Sequence, residues 1–202
     1  MSAPSAMPPN TIDHQRLAEA FTFAANAHVK QVRKGTDIPY VSHLMAVSGL
    51  VLEYGGDEDE SIAGLLHDTV EDCGAAYEGL IRQMFGERVA EIVIGCTDGT
   101  PDDAGEKAPW RTRKVAYIAH LDHADPGMRL VSCCDKLHNA RAILRDYLQL
   151  GDTLFERFNR DAGKPGVLWY YRALSDAFTR LGAAPAKELD AVVRELEQAA
   201  MQ

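Results

Sequence analysis

The 202-residue chain has no apolar run near the ~18 residues that a bilayer-spanning helix needs, and its first ten residues, MSAPSAMPPN, hold neither a basic region nor an apolar stretch. These absences give the expectation of a cytoplasmic protein without a membrane span. Cysteine is sparse: Cys73, Cys96, Cys133 and Cys134 include no CxxC pair. That spacing suits neither a disulfide framework nor a zinc ribbon and leaves reduced core thiols. Positive charge is also short, with 21 Lys and Arg against 30 Asp and Glu and a formal charge of −9. Such a chain lacks the long-range positive field of a nucleic-acid coat or an anionic-membrane binder, so an anionic ligand has to be met by a local cluster. Alternating strand patterns, internal repeats and domain linkers are missing too.

What is present is helical periodicity over a hydrophobic content of 46%, enough for one sizeable core. The reading is a mobile tail over residues 1–10 and a single all-α domain over 11–202. Leu17, Phe21, Ala24 and His28 form the stripe of a first helix between Thr11 and Val29. A loop with Gly35, Pro39 and paired basic residues follows, ending at Ser42 as N-cap of a second helix with His43 in its first turn. Gly55-Gly56 ends that helix, and Asp57 with Glu60 has capping-box form ahead of a third helix, about Asp59 to Asp72, buried through Ile62, Leu65, Leu66 and Val70. Helices over Tyr77 to Phe85 and Glu87 to Cys96 flank Gly86. The stretch from Asp98 to Ala108 reads as a long loop. A helix over 110–121, a strong helix from Leu130 to Tyr147, and two C-terminal helical runs complete the pattern.

Two places break the hydrophobic logic. In Leu65-Leu66-His67-Asp68-Thr69-Val70-Glu71-Asp72, a continuous helix gathers four polar groups opposite the apolar stripe. An acidic helix end facing water is the simple alternative, and an adjacent His-Asp pair alone carries little weight. Asp135, however, sits between Cys134 and Leu137 among the apolar positions of a strong helix, where burying a carboxylate is costly without a cation or strong hydrogen bonds. An ion pair with Arg129 or Lys136 is one answer. Imidazoles and carboxylates together are another, as ligands for manganese, iron or zinc.

The order His43, His67-Asp68, Asp135 resembles the H…HD…D pattern of HD-domain metal-dependent phosphohydrolases. More narrowly, Arg33-Lys34…Pro39-Tyr40-Val41-Ser42-His43, Leu65 to Asp72, Phe85-Gly86 and Asp135-Lys136-Leu137-His138-Asn139-Ala140-Arg141 are similar to the hydrolase domain of the RelA/SpoT family, over about residues 15 to 150. A synthetase domain has no room, so the likeness is to stand-alone small alarmone hydrolases, with Phe155…Phe158…Trp169-Tyr170-Tyr171 adding to it. The resemblance implies an all-α HD bundle and one manganese ion held by His43, His67, Asp68 and Asp135. It also implies cleavage of the 3′-pyrophosphate of (p)ppGpp, giving GDP or GTP and pyrophosphate. Glu71 and Asp72 would orient water and handle protons, and Arg33, Lys34 and Asn139 would contact the nucleoside and its phosphates. Arg111 and Lys114, in a basic cluster with Arg113, would hold distal phosphates, and Tyr171 or Tyr170 would pack on the ribose. His28, His138 and Phe85 read as structural. The loop Gly35-Thr36-Asp37-Ile38 follows no fixed family wording, which leaves guanine or adenine open. So do other HD activities, on nucleoside monophosphates or NADPH, and a nucleotide-binding or toxin-neutralising module with little turnover. The sequence sets no oligomeric state.

Overall fold

The computed structural model describes residues 12–98, 108–158 and 161–201. The expected N-terminal tail and most of the Asp98–Ala108 loop lie outside the described residues. Among these residues there are ten α-helices and one 3₁₀ segment: α1 (His14–Ala27), α2 (Val41–Glu53), α3 (Glu58–Leu66), α4 (Thr69–Cys73), α5 (Ala76–Phe85), α6 (Glu87–Cys96), α7 (Trp110–His120), α8 (Pro126–Leu150), the 3₁₀ turn Gly151–Arg157, α9 (Gly163–Arg180) and α10 (Ala186–Ala200). The extended structure described is one isolated antiparallel bridge between Val32 and Pro39, which closes the basic loop on itself. No described helix is long and apolar enough to cross a membrane.

Local chemistry sets most boundaries. Asp13 starts α1 by accepting from the amides of Gln15 and Arg16. Asp57 and Glu60 form a reciprocal capping box at α3. Asp125 caps α8, with Pro126 in the first turn where a missing N–H costs nothing. Gly55 and Gly86 adopt positive φ where α2 and α5 stop.

Three expectations need correction. Ser42 is not an N-cap: α2 already begins at Val41, and no side chain caps it. Phe21 is 39% exposed, and α1 instead buries Ala20 and Ala24, with Leu17 and Phe23 partly covered; small residues let α1 approach α3 closely. The third correction has chemical weight. The helix expected from Asp59 to Asp72 is two helices, with His67 ending α3 and Asp68, at φ −95° and ψ −5°, leading into α4. Neighbouring residues of a continuous helix point about 100° apart, whereas this break lets both side chains reach one point.

Helix α8 is the axle of the bundle. It packs against α2, α3, α6, α9 and α10, and buries Met128, Val131, Cys133, Cys134, Leu137, Ala140 and Ile143. All four cysteines are free, and burial pushes their thiol pKa values up, with Cys73 at about 11 and Cys134 at about 12, so they are inert filler. The C-terminal helices are lashed to the rest. Glu188 of α10 accepts from Tyr54 and Arg141, and Arg172 of α9 holds Glu197 and Asp190 of α10.

Helices α2 and α3 cross closely. A Cβ on Gly64 would lie 3.1 Å from the Ser48 Cα and 3.2 Å from its amide nitrogen, and a buried Ser48–Ser61 hydroxyl bond of 2.8 Å seals the same crossing. This contact sets the distance between His43 on α2 and His67 at the end of α3. Gly64→Val should therefore destabilise the fold by ~1–3 kcal/mol, the usual range for overpacking a tight core. Urea unfolding monitored by circular dichroism would measure this. A midpoint equal to that of the unaltered protein would show that the crossing tolerates separation.

Candidate metal centre and substrate cavity

Four elements converge on one buried point. His43 comes from the first turn of α2, His67 and Asp68 from the break between α3 and α4, and Asp135 from the middle of α8. His43, His67 and Asp135 are buried, and each offers a ligand atom within 4.8 Å of the others. Asp68 Oδ2 lies 3.0 Å from His67 Nε2 and 3.5 Å from His43 Nε2, while Asp135 Oδ1 lies 3.6 Å and 3.2 Å from the same atoms.

The hydrogen-bond pattern limits what this cluster can hold. His67 Nδ1–H donates to the Gly64 carbonyl at 2.9 Å, which directs the Nε2 lone pair inward. His43 Nδ1 is 2.7 Å from His138 Nδ1. Burial first, then the neighbouring His43, lowers His138 to about 4, and in the tautomer where His43 Nδ1–H donates to His138 the His43 Nε2 lone pair also turns inward. Both Nε2 atoms are buried without a hydrogen-bond partner. Two ring nitrogens therefore face two carboxylates, an arrangement that needs positive charge between them, as a proton or as a metal ion. Burial opposes that charge, yet attraction to Asp68 and Asp135 holds His67 well above its ordinary pKa, and both carboxyls lie well below theirs. A divalent cation satisfies all four groups at once, and the N/O donor set fits one.

Each carboxylate is braced from outside. Tyr40 donates to Asp68 Oδ2 at 2.5 Å. Lys136 reaches Asp135 Oδ2 at 2.5 Å, and Asn139 Nδ2 reaches Oδ1 at 2.5 Å. The ion pair with Lys136 and the metal-ligand role are thus compatible, since they use different oxygens of Asp135. Asn139 in turn accepts from Arg33 at 2.5 Å, and the Arg33 guanidinium lies 5.6 Å from the centre of the Tyr40 ring. The basic loop is wired to both carboxylates.

The cluster opens into a cavity of about 390 Å³, within the ~300–1,000 Å³ range of small-molecule sites. Arg33, Lys34, Lys114, Asn139 and Tyr171 line it, as do Glu71, Asp72, Asp68 and Asp135. Glu71 accepts from the Asp98 amide at 3.2 Å, and Asp72 Oδ2 from Gln31 Nε2 at 2.8 Å. Lys114 is paired with Asp98; burial, then Lys136, nevertheless lowers its pKa to about 8. Arg111 is not brought to this wall: its guanidinium stacks on Trp169, 3.1 Å from the ring centre, and it is absent from the cavity lining. The aromatic partner, two turns into α9, captures the cation that the sequence cluster had offered to phosphates. Tyr170 is buried behind Tyr171 and does not line the cavity.

Sequence reasoning passed over several groups. Tyr40 sits inside a motif already singled out, and its neighbours drew the attention, whereas Lys136 was weighed as an ion-pair partner of Asp135 and forms that pair. His138, read as structural, supports a ligand. Gln31, Asp98, Asp146 and Arg157 left no periodic signal, because they are polar residues in loops or on half-exposed turns that only folding brings together.

Comparison with known proteins gives the family and the fold. A family model described as HD domain matches residues 20–159. Over 133 residues, 66% of this chain, the sequence is 34% identical to a probable guanosine-3′,5′-bis(diphosphate) 3′-pyrophosphohydrolase of Synechocystis, and spans only 17% of that protein. It is 35% identical over 136 residues to the guanosine-3′,5′-bis(diphosphate) 3′-pyrophosphohydrolase MESH1 of Xenopus tropicalis, covering 66% of this chain and 72% of that one. A solved structure described as a metazoan orthologue of SpoT that hydrolyses ppGpp superposes with a TM-score of 0.69 at 25% identity, covering 96% of this chain and 98% of the other.

If the four groups exist to hold a cation, Asp135→Asn should lose metal and activity together, because the amide keeps the shape but not the charge. Metal analysis after gel filtration checks this, and normal metal content would remove Asp135 from the ligand set. Arg33→Ala should instead keep its metal and raise the Michaelis constant; an unchanged value would return Arg33 to a bracing role.

Proposed function

The chain belongs to the HD-domain family, and from that premise we propose that it is a metal-dependent phosphohydrolase that removes the 3′-pyrophosphate from guanosine alarmones. Its products would be GDP or GTP and pyrophosphate. The observation that carries this reading is the pair of buried, unpartnered Nε2 atoms facing Asp68 and Asp135, two carboxylates that line a cavity shared with Arg33, Lys34, Lys114 and Lys136. Relatives of similar sequence and shape are named for that reaction.

We assign the ligands as His43, His67, Asp68 and Asp135 and the ion as manganese; when bound, a divalent cation supplies Lewis acidity and makes water a better nucleophile at neutral pH. The remaining chemistry belongs to the chain. Hydrolysis joins a water oxygen to the phosphorus attached at O3′ and breaks the bond from that phosphorus to O3′. One proton leaves the water and one reaches O3′. Glu71 and Asp72 lie in the first turn of α4, directly after Asp68, and both line the cavity. Burial, with the nearby Asp68 charge, raises the Asp72 pKa above its ordinary value, as suits a group that carries a proton during turnover. The Gln31 amide and the Asp98 N–H fix where Asp72 and Glu71 stand. Lys114 and Lys136 place positive charge beside the cluster, where the pyrophosphate bears its negative charge. Arg33, Lys34, Asn139 and Tyr171 hold the nucleoside.

Incubation of the purified protein and manganese with ppGpp, ppApp, NADPH and nucleoside monophosphates tests the reading. Pyrophosphate and GDP from ppGpp are the expected products, with GDP itself inert. Orthophosphate would indicate another HD activity, and nucleotide affinity without product would indicate a binding module. Glu71→Gln combined with Asp72→Asn should leave a folded, metal-loaded protein whose turnover falls by about 10²–10⁴-fold. Loss of the metal would make one of them a ligand, and near-normal turnover would move proton handling elsewhere.

A further inference from the structure

The cavity is chemically lopsided. Near the metal cluster its walls are carboxylates and amines, whereas toward the C-terminal half of α8 they turn apolar, with Ile38, Ala142, Ile143, Leu154 and Phe158. The planar, apolar part of a nucleotide is its base. With the reacting phosphate at the cluster, the base is therefore driven toward this other end. One face of α8 connects the two: Asp135 at the metal, Asn139 one turn on, Ala142 and Ile143 next, then Asp146. The rise from Asp135 to Asp146 is ~16 Å at ~1.5 Å per residue, a span suited to an extended nucleotide.

Asp146 is the one carboxylate at this apolar end among the described lining residues. Its side chain is 19% exposed, Oδ2 accepts from Arg157 Nη1 at 2.9 Å, and Oδ1 accepts from Arg145 at 3.1 Å. Arg157 is itself confined, since its aliphatic stem lies where a Cβ on Gly35 would come within 2.5 Å of Cδ, and Gly35 has φ +73°. Arg145 is 58% exposed, so its bond to Oδ1 is readily exchanged. A carboxylate only accepts hydrogen bonds and has capacity for about four. It repels phosphate, and it selects an edge rich in N–H donors.

We infer that Asp146 is a specificity-determining residue that reads the Watson–Crick edge of guanine, accepting from N1–H and the 2-amino group. The inference rests on the alarmone reading above and adds the choice of base. Guanine offers two adjacent donors there; adenine offers its 6-amino group beside N1, a lone pair that faces the carboxylate unfavourably. Arg157 holds one oxygen in place, and the other turns to the base when Arg145 is displaced.

The test compares kcat/KM for ppGpp, its inosine counterpart, which lacks the 2-amino group, and ppApp, in the unaltered protein and in Asp146→Asn. The unaltered protein should prefer guanine to adenine, and inosine should cost it about tenfold. In Asp146→Asn the guanine-to-adenine ratio should fall by ~10–100-fold, the usual scale for losing hydrogen bonds to a charged group. The ratio is measured within one preparation, so partial misfolding does not change it, and the inosine comparison needs no variant. An equal loss for guanine and adenine would overturn the inference and make Asp146 a brace for Arg157 and the Gly35 loop. No base preference in the unaltered protein would also overturn it, while leaving the alarmone reading intact. Turnover of none of the three would instead sink the alarmone reading on which it rests.

Discussion

Two imidazole nitrogens and two carboxylates, brought within 3.0–3.6 Å at a buried point, are held together only by positive charge between them. That constraint organises the molecule. The Gly64 crossing sets how far apart α2 and α3 stand, the same residue's carbonyl fixes the His67 tautomer, and the break before α4 turns Asp68 back toward its neighbour. Helix α8 is apolar along the face that carries the core, and it delivers Asp135 from within that face. A fold that paid this electrostatic cost without a cation would gain nothing from it, because an apolar set of similar volume would pack as well or better.

The braces around the cluster join the basic loop to both carboxylates. Arg33 reaches Asp135 through Asn139, and the ring beneath Arg33 belongs to Tyr40, whose hydroxyl holds Asp68. A nucleotide that engages Arg33 therefore presses on groups bonded to both carboxylates. The cavity's charge runs along α8, with amines and acids at the end beside Asp135 and an apolar slot with Asp146 and Arg157 at the other. In a chain with net charge −9, Arg33, Lys34, Lys114 and Lys136 all line one cavity, so an anion there would be met by a local cluster rather than by a general field.

The all-α character, the capping box at Asp57 and the α6 boundaries were legible in the sequence, because periodicity and capping are local properties. His43, His67, Asp68 and Asp135 were legible as a group through motif order, and Asp135 stood out unaided as a carboxylate in an apolar helix. The split at His67-Asp68 was not visible, since Leu65 to Asp72 has no glycine or proline to mark a break; it is a tertiary demand overriding a helical pattern. Arg111 misled for a related reason: composition shows a basic cluster, but only packing reveals that Trp169 takes one of its members. His138 and Gln31 act through other side chains, so no spacing rule identifies them.

Equilibrium dialysis of the metal-stripped protein against manganese, followed by thermal melting of the same samples, addresses the cluster most directly. The account predicts one saturable ion per chain and a melting temperature that rises with free metal, since an ion present at about 100 times its Kd stabilises the folded state by ~2.7 kcal/mol. A stripped protein that melts at one temperature whatever the manganese, calcium or zinc concentration, with no saturable binding, would contradict it.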